Sequence, residues 1–512
     1  MTRTLHIGPA VCALAVGVVC GPGASVVGAQ SENVLIIIAD DLGVDVLQSY
    51  GEGSTFPPTP TIDMLRDTGV LFRNAWSDPV CSPTRATIQT GRYGFRTGVG
   101  DVVDETDPEG LPFSETIIPE VLDLNPQRGY THAAIGKWHL TSGPQGGDEG
   151  PNLSGYAHFS GFLYGQFFPP PLGYFHWPKT ENGETSSTRV YATTDNVNEA
   201  IEWINDQGES PWFMWLAFNA PHSPLHAPPD ELHSYDLPDD PPDCLLYYQA
   251  MVEALDTEVG RLFASIPTRA LERTNIIFLG DNGTPGQVTQ PPFDPDRAKG
   301  TLYEGGINVP LIISGPQVTV PGSESAVLVN TTDLFATALE MMGVDVHASL
   351  PPDSVLDSLS LLPLLQGREF EPRLFVYAER FRDDQQTPST GQTIGNDTFK
   401  LIRFALFPEE FYDLSVDPFE TTDLLLGELD PVQQANYDEL TSLLDDLIGH
   451  HCEGDANGDG MVDPIDAGFV LARLGCPVGT GDPDCDAADQ NGDGAVDPLD
   501  VGFILARFGT CE

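Results

Sequence analysis

Cys81, Ser82, Pro83, Thr84 and Arg85, followed through Ala86, Thr87, Ile88 and Gln89 by Thr90, Gly91 and Arg92, form the stretch richest in chemistry. The order reads as a helix start with a cysteine just outside it. Ser82 can act as N-cap, Pro83 suits the first helical position, and Gly91 can end the helix. Cys81 would then face open backbone N–H groups and the positive end of the helix dipole, where an anion is stabilised. Arg85, one turn in, adds a planar guanidinium suited to a tetrahedral oxyanion. Taken bare, Cys81 is only a candidate nucleophile, since most single cysteines are buried and inert.

Two acidic pairs could hold a metal. Asp40, Asp41, Asp281 and Asn282 offer three carboxylates and one amide oxygen, a hard-oxygen set that suits calcium or magnesium better than zinc. Calcium is the first choice. A helix cap for Asp40-Asp41 and a tight turn for Asp281-Asn282-Gly283 would account for each pair alone.

A third acidic set lies near the C-terminus. Asp455, Asn457, Asp459, Met461, Asp463 and Asp466 recur 34 positions later (489 minus 455) as Asp489, Asn491, Asp493, Ala495, Asp497 and Asp500. These are loop positions 1, 3, 5, 7, 9 and 12 of an EF-hand, with Gly460 and Gly494 at position 6 and Asp in place of the usual Glu at position 12. Each loop is expected to bind one Ca2+ and to run into one short helix, Ala467 to Leu474 and Val501 to Phe508, ending in Gly475 or Gly509. Folding of this tail should depend on calcium, because so many carboxylates would otherwise repel.

The elements that must position these groups alternate apolar strands with helical patterns, which predicts a largely parallel sheet covered on both faces. Strands are expected over Asn33 to Ala39, Val70 to Trp76, Tyr130 to Ile135, Trp212 to Phe218 and Asn275 to Leu279. Helices are expected over Thr61 to Thr68, Glu115 to Leu124 and Leu245 to Phe263. The polar clusters Asp40-Asp41, Lys137-Trp138-His139, Asn219-Ala220-Pro221-His222 and Asp281-Asn282 all follow strands. Ligands bind at that edge of a doubly wound sheet, so distant positions can converge on one cleft. Between His139 and Arg189 the chain is rich in Pro, Gly and aromatics and reads as a long irregular insert, either a pocket wall or a segment packed on itself. From about Leu374 the pattern changes to short strands, Leu374 to Ala378, Phe399 to Phe404 and Glu410 to Ser415, with a helix.

Composition sets the outer bounds. The 512 residues allow two to four domains and a large core. With 76 Asp plus Glu against 23 Lys plus Arg, the surface repels nucleic acid and anionic membranes, and neither is an expected partner. Long-range repulsion of an anionic polymer is weakened at high salt, where only local charges act. Arg3, the apolar run Ala10 to Cys20 and the small residues Val27-Gly28-Ala29 read as a cleaved export signal over residues 1–29. The run is short for a membrane span, and no later stretch is long and apolar enough to be one. The protein is therefore expected to be secreted or periplasmic. Of eight cysteines, Cys452, Cys476, Cys485 and Cys511 cluster at the end. In an exported chain they suggest disulfides, with Cys452–Cys476 and Cys485–Cys511 as the pairings that would staple each repeat. Cys244 reads as core.

Cys-x-Pro-x-Arg followed by Thr-Gly-Arg closely resembles the signature of the type I sulfatases of the alkaline phosphatase superfamily, in which the cysteine becomes formylglycine. Gly136-Lys137-Trp138-His139, His222 in Ala-Pro-His-Ser-Pro and Lys299 in Ala-Lys-Gly-Thr-Leu-Tyr-Glu-Gly-Gly match further elements of that family, over roughly Glu32 to Ile448. The resemblance implies a large mixed, mostly parallel sheet sandwiched by helices over 30–365, and a small C-terminal antiparallel-sheet subdomain over 366–450. It implies that formylglycine from Cys81 attacks sulfur, that Arg85 and one active-site Ca2+ on Asp40, Asp41, Asp281 and Asn282 stabilise it, and that Lys137 and Lys299 hold the sulfate. His222 would protonate the leaving alcohol and His139 would act as base for the second hydroxyl. A serine that some members place near the sulfate has no counterpart that can be located.

Implied partners are a sulfated carbohydrate or aryl sulfate and a formylglycine-generating maturase. Two loop-helix units over 452–512 look like a dockerin, which implies a cohesin-like partner and attachment to a cell surface. The alternatives are a phosphonate monoester or phosphodiester hydrolase of the same superfamily, and a secreted calcium-dependent binding protein if Cys81 is never matured. A two-metal phosphatase would need a further Asp/His set.

Overall fold

We obtained the structure as a computed structural model that describes residues 32–108, 110–167, 170, 172–238, 244–351, 354–382 and 387–448, and in the tail 456, 461–462, 464–476, 478, 485, 488–490, 494–505 and 509–510. The leader expected over 1–29 lies outside these residues, as do Asp455, Asn457, Asp459, Asp463, Asn491, Asp493, Cys452 and Cys511.

A ten-stranded sheet organises the body. Its strands are β1 (Asn33–Ala39), β2 (Gly69–Trp76), β3 (Thr131–Lys137), β4 (His158–Phe162), β5 (Trp177–Glu181), β6 (Glu184–Thr188), β7 (Trp212–Ala217), β8 (Thr274–Gly280), β9 (Leu311–Ser314) and β10 (Ser323–Asn330). The spatial order is β10-β2-β9-β8-β1-β7-β3-β4-β5-β6. Only β9 and β5 run against the others, so the sheet is mixed and mostly parallel.

Strand β1 lies between β8 and β7, parallel to both, with Val34 opposite Phe213 and Asn275. Val34, Ile36 and Ile38 join a cluster with Phe335 and Leu339 of the helix Asp333–Met341. Leu35, Ile37 and Ala39 join another with Met251, Leu255 and Val259 of the helix Cys244–Ser265. A strand buried on both faces needs apolar residues throughout, which is why Val34 to Ala39 shows no alternation.

Several sequence expectations shift. The segment between His139 and Arg189 is not wholly irregular: β4 pairs with β3, and β5 with β6 makes an edge hairpin. Its turn, Asn182-Gly183, has φ of 47° and 86°, the left-handed pair that tight hairpins favour. Much of the insert packs on itself. Phe167 stands 4.6 Å from Phe162, 4.9 Å from Tyr174 and 5.7 Å from Trp177, ring centre to ring centre. The expected helix at Glu115 is shorter, Ile118–Asp123, because Glu120 folds back to accept the Ile117 N–H. Cys244 is exposed at the first turn of its helix rather than in the core.

The C-terminal part of the body is an antiparallel sheet, β11 (Val376–Arg380), β12 (Gly391–Gly395), β13 (Phe399–Phe404) and β14 (Glu410–Asp413). Leu440 and Leu444 of the helix Pro431–Ile448 pack on it with Tyr377, Leu401 and Phe411. Leu374, expected to open the first strand, is exposed outside it.

In the tail the helices run Pro464–Leu471 and Pro498–Leu505, three residues earlier than expected. Proline fixes φ at the first helical position, and Asp497 caps the second helix by accepting the Leu499 N–H at 2.6 Å. Position-12 residues Asp466 and Asp500 therefore sit inside the first turns, fully buried. Gly475 has the left-handed φ of 81°, whereas Gly509 lies in a two-residue strand, β16 (Gly509–Thr510), paired with β15 (Met461–Val462). Cys476 bonds to Cys485, which corrects the pairing within repeats: the link joins the end of one unit to the segment before the next.

Candidate active site

Strand ends deliver most of the functional side chains. Asp40 and Asp41 follow β1, Asp281 and Asn282 follow β8, Lys137 ends β3, and His222 stands in the turn after β7. Cys81 opens the helix Cys81–Thr90 as its first residue, with Val80 at the cap position. Ser82 is not the cap. Its Oγ instead accepts the Val103 N–H at 3.0 Å, and Gly91 closes the helix with φ 67° as expected.

These residues converge. The Cys81 Sγ donates to Asp40 Oδ1 at 3.4 Å, with Lys137 Nζ at 3.6 Å and Lys299 Nζ at 3.9 Å from the sulfur. Lys137 Nζ also donates to Asp40 Oδ2 at 2.5 Å, and Lys299 Nζ donates to Asp41 Oδ1. His222 Nε2 stands 3.7 Å from Asp41 Oδ2. His222 Nδ1 faces the Ser223 carbonyl at 2.8 Å, leaving Nε2 as the nitrogen that looks into the site. Arg85 does not touch the sulfur: its Nη2 reaches Asp281 Oδ2 at 2.7 Å and its Nη1 donates to the Lys137 carbonyl at 2.9 Å.

His139 lies beside the cluster with φ 61° and both ring nitrogens buried without a hydrogen-bond partner. Such a group is costly unless the site gives it something to bind. Gly165 passes over it so closely that a Cβ there would lie 2.9 Å from Nε2.

Electrostatics follow from burial. Burial, with Asp40 adding to it, pushes the Cys81 thiol up to about 12. Burial lowers His139 well below its usual value, and Lys137 and Arg85 lower it further. Burial brings His222 down to about 4 against the pull of Asp41. Asp281 rises to about 6 through burial and Asp40, with Arg85 opposing. For Asp41 burial is outweighed by His222 and Lys299, which hold it below the carboxylate range.

Of the expected hard-oxygen set, Asp40 and Asp41 fall in one group of potential ligands with Cys81 and His222, and Asp281 falls outside it. Asp40, Asp41, Cys81 and His222 each bring a potential ligand atom within 4.8 Å of the others. The Asn282 Oδ1 is buried without a hydrogen-bond partner, while its Nδ2 donates to Asp41 Oδ1 at 2.9 Å. Asp281 is more heavily engaged, its Oδ1 accepting the Asp41 N–H at 3.0 Å and its Oδ2 facing Arg85.

Two positioning residues escape a reading of the sequence. The Tyr174 hydroxyl donates to the carbonyls of Asn219 and His222 at 2.6 and 2.7 Å, clamping the turn that carries His222. Arg380, on β11, donates to the Gly300 carbonyl at 2.6 Å and so fixes the turn beside Lys299. Neither lies in a motif; the tyrosine's place in the aromatic insert was its sole signal.

A doubly covered sheet with an acidic cluster at the C-terminal ends of its strands, Lys137 at the end of β3 and Lys299 from a loop beside it, suits a hydrolase of oxyanion esters. The chain belongs to the sulfatase family, whose model matches residues 32–344. The model for the C-terminal part of N-sulphoglucosamine sulphohydrolase matches 296–448, and the dockerin type I model matches 453–508. Human N-acetylgalactosamine-6-sulfatase is 30% identical over 394 residues, covering 70% of each chain. The rat protein of the same name is 29% identical over 389 residues, covering 68% of each. Among solved structures, Ps i-CgsB in complex with k-i-k-neocarrahexaose superimposes with a TM-score of 0.69 at 25% identity, over 82% of this chain and 93% of the other. The protein is thus a sulfuric ester hydrolase with a C-terminal dockerin domain. Among the described residues no helix is long and apolar enough to cross a membrane.

Proposed function

We propose that this enzyme is a formylglycine- and calcium-dependent sulfatase that removes sulfate from an extracellular carbohydrate while tethered through its dockerin domain. The approach of Lys137 Nζ and Lys299 Nζ to 3.6 and 3.9 Å from the Cys81 sulfur carries the reading. Two cations aimed at the reacting position are what a transferring sulfuryl group requires. The relatives named for 6-sulfated N-acetylgalactosamine and the structure bound to a neocarrahexaose favour a sulfated sugar.

Formylglycine made from Cys81 supplies a hydrated aldehyde, one hydroxyl for attack on sulfur and a second whose deprotonation expels sulfate. Asp40, Asp41, Asp281 and Asn282 would hold a calcium ion, which would supply positive charge for the sulfate group. Lys137, from the end of β3, and Lys299, from a loop, hold the sulfate oxygens. Arg85 keeps Asp281 and the end of β3 in register through its two contacts. His222 offers Nε2 to the leaving oxygen, with Asp41 beside it to stabilise the imidazolium. His139, with no protein partner on either nitrogen, takes the proton of the second hydroxyl.

In this reading residues 1–29 form an export leader, 30–365 the catalytic domain, 366–450 its C-terminal subdomain and 452–512 the calcium-binding dockerin, loaded with two Ca2+. A maturase acts on Cys81, and a cohesin-like protein receives the tail. The test starts with protein from its native or a maturase-competent host and the mass of the tryptic peptide Asn74 to Arg85. Formylglycine at position 81 supports the chemistry, and a screen of sulfate esters against phosphonates and phosphodiesters then separates the two superfamily readings. Unmodified cysteine from a host that matures other such motifs sinks the mechanism.

A further inference from the structure

A cavity of about 510 Å³ is lined by Gly100, Asp101, Asp107, Phe381 and Arg382 among others. That volume is in the range of small-molecule sites. Hydrogen bonds tie its wall to the segments that carry Cys81 and Lys299. Val103 donates its N–H to Ser82, the residue after Cys81, at 3.0 Å. Arg380 donates to the Gly300 carbonyl at 2.6 Å and grips the Asp101 carboxylate at 3.2 and 3.3 Å. Gly300 follows Lys299 and itself donates to the Pro79 carbonyl at 2.9 Å, two residues before Cys81.

The lining combines an aromatic face with paired charges. Phe381 is held against Gly100 by a backbone hydrogen bond of 3.0 Å, so close that a Cβ on Gly100 would lie 2.3 Å from the ring. Arg382 Nη2 meets Asp107 Oδ1 at 2.6 Å, as Arg380 meets Asp101. Each carboxylate of the lining faces a guanidinium, so the cavity is close to neutral. Asp104, its side chain 64% exposed, lies 3.8 Å from Arg382 Nη1 and adds a second carboxylate to that pair, in a chain of net charge -53. An arginine already faced by two carboxylates disfavours a second anion and leaves an uncharged, hydroxyl-rich ring as the matching occupant.

We propose that this cavity is a subsite for an uncharged sugar ring adjoining the sulfated one, with Phe381 as its stacking face and the Arg382–Asp107 pair as its hydroxyl partners. The proposal rests on the sulfatase reading and adds that the substrate is an oligosaccharide in which sulfated and uncharged rings alternate.

The test uses the full-length matured enzyme with three probes: an aryl sulfate, sulfated galactan oligosaccharides of two, four and six rings with alternating uncharged rings, and chondroitin sulfate oligosaccharides with alternating uronates. Wild-type kcat/KM is expected to be higher for the galactan oligosaccharides than for the other two probes. In Phe381→Ala the ratio of galactan to aryl sulfate kcat/KM is expected to fall about tenfold, the usual worth of one anchoring aromatic. Gly100→Ala, which forces the ring to move, should lower the same ratio, and unchanged thermal melting of either variant excludes a folding defect. An unchanged ratio in both variants, or preference for the uronate-containing series, overturns the subsite. Failure of the wild type to turn over any sulfate ester overturns the sulfatase reading itself.

Discussion

Arg85 and Asp281 meet in a fork, Nε at 3.1 Å and Nη2 at 2.7 Å from the same carboxylate oxygen, with neither side chain exposed to solvent. The helix that carries Cys81 is thereby locked to the end of β8. Removing one partner leaves the other charge buried and unpaired, so Arg85→Ala is expected to lower unfolding stability by about 3–5 kcal/mol. Urea unfolding measures it. Arg85→Lys keeps the charge but loses the fork, and its kcat/KM should still fall by about 100-fold or more.

Gly136 immediately precedes Lys137 and has φ 92°, with a Cβ there only 2.0 Å from the Ala217 carbonyl oxygen. The two backbones of β3 and β7 must stay close for Lys137 to reach Asp40. Gly136→Ala is therefore expected to cost more than about 2 kcal/mol, from strain and clash together. A thermal melt that leaves the variant as stable as wild type would contradict the close approach.

Asp78 and Glu379 form a buried acidic pair away from the reacting cluster. Asp78 Oδ1 accepts the Glu379 N–H at 3.1 Å, and Glu379 accepts from Phe95 N at 2.7 Å and Tyr377 OH at 3.0 Å. Burial raises Asp78 to about 7, and burial with Asp78 nearby raises Glu379 to about 8. The folded state thus binds more protons than the unfolded one across the window between the ordinary carboxylate range and pH about 8. The stability these groups contribute is present in acid and lost as pH rises through that window. Glu379→Gln should flatten the fall in unfolding free energy between pH 5 and pH 8, by about 1 kcal/mol or more. An equal slope in the variant would remove the pair as its source.

In the tail, Asp489 Oδ2 accepts the Gly494 N–H at 2.9 Å and Asp466 and Asp500 lie buried in their helices. Packing of the helices rests on few apolar residues, Ala467, Val470, Val496 and Ile504 among them. A chelator is expected to expose this domain to protease in the full-length protein, and excess calcium to protect it. Cleavage at equal rates in both conditions would count against calcium as its stabiliser.

Much of this was legible in residues alone. The run Asn33 to Ala39 announces a fully buried strand, and Pro83 and Gly91 announce a helix and its end, because both signals are local. The hairpin β5–β6 is only weakly apolar, and its one clear mark, Asn182-Gly183, sits in a stretch whose Pro, Gly and aromatic content masks a strand pattern. Ser82 looked like a cap, yet tertiary contact with Val103 claimed its hydroxyl. In the tail the prolines already marked the helix starts, which were placed three residues too late.

The sequence by itself determined the kinds of chemistry present and the strand ends from which they project, since residue type and periodicity are properties of short segments. Only the tertiary structure decided which groups meet: Arg85 with Asp281, Tyr174 with the His222 turn, Arg380 with Gly300, Cys476 with Cys485. Those pairings join residues distant along the chain or chosen among equal candidates. Sheet order and the packing of both faces set them, and no local pattern encodes that order.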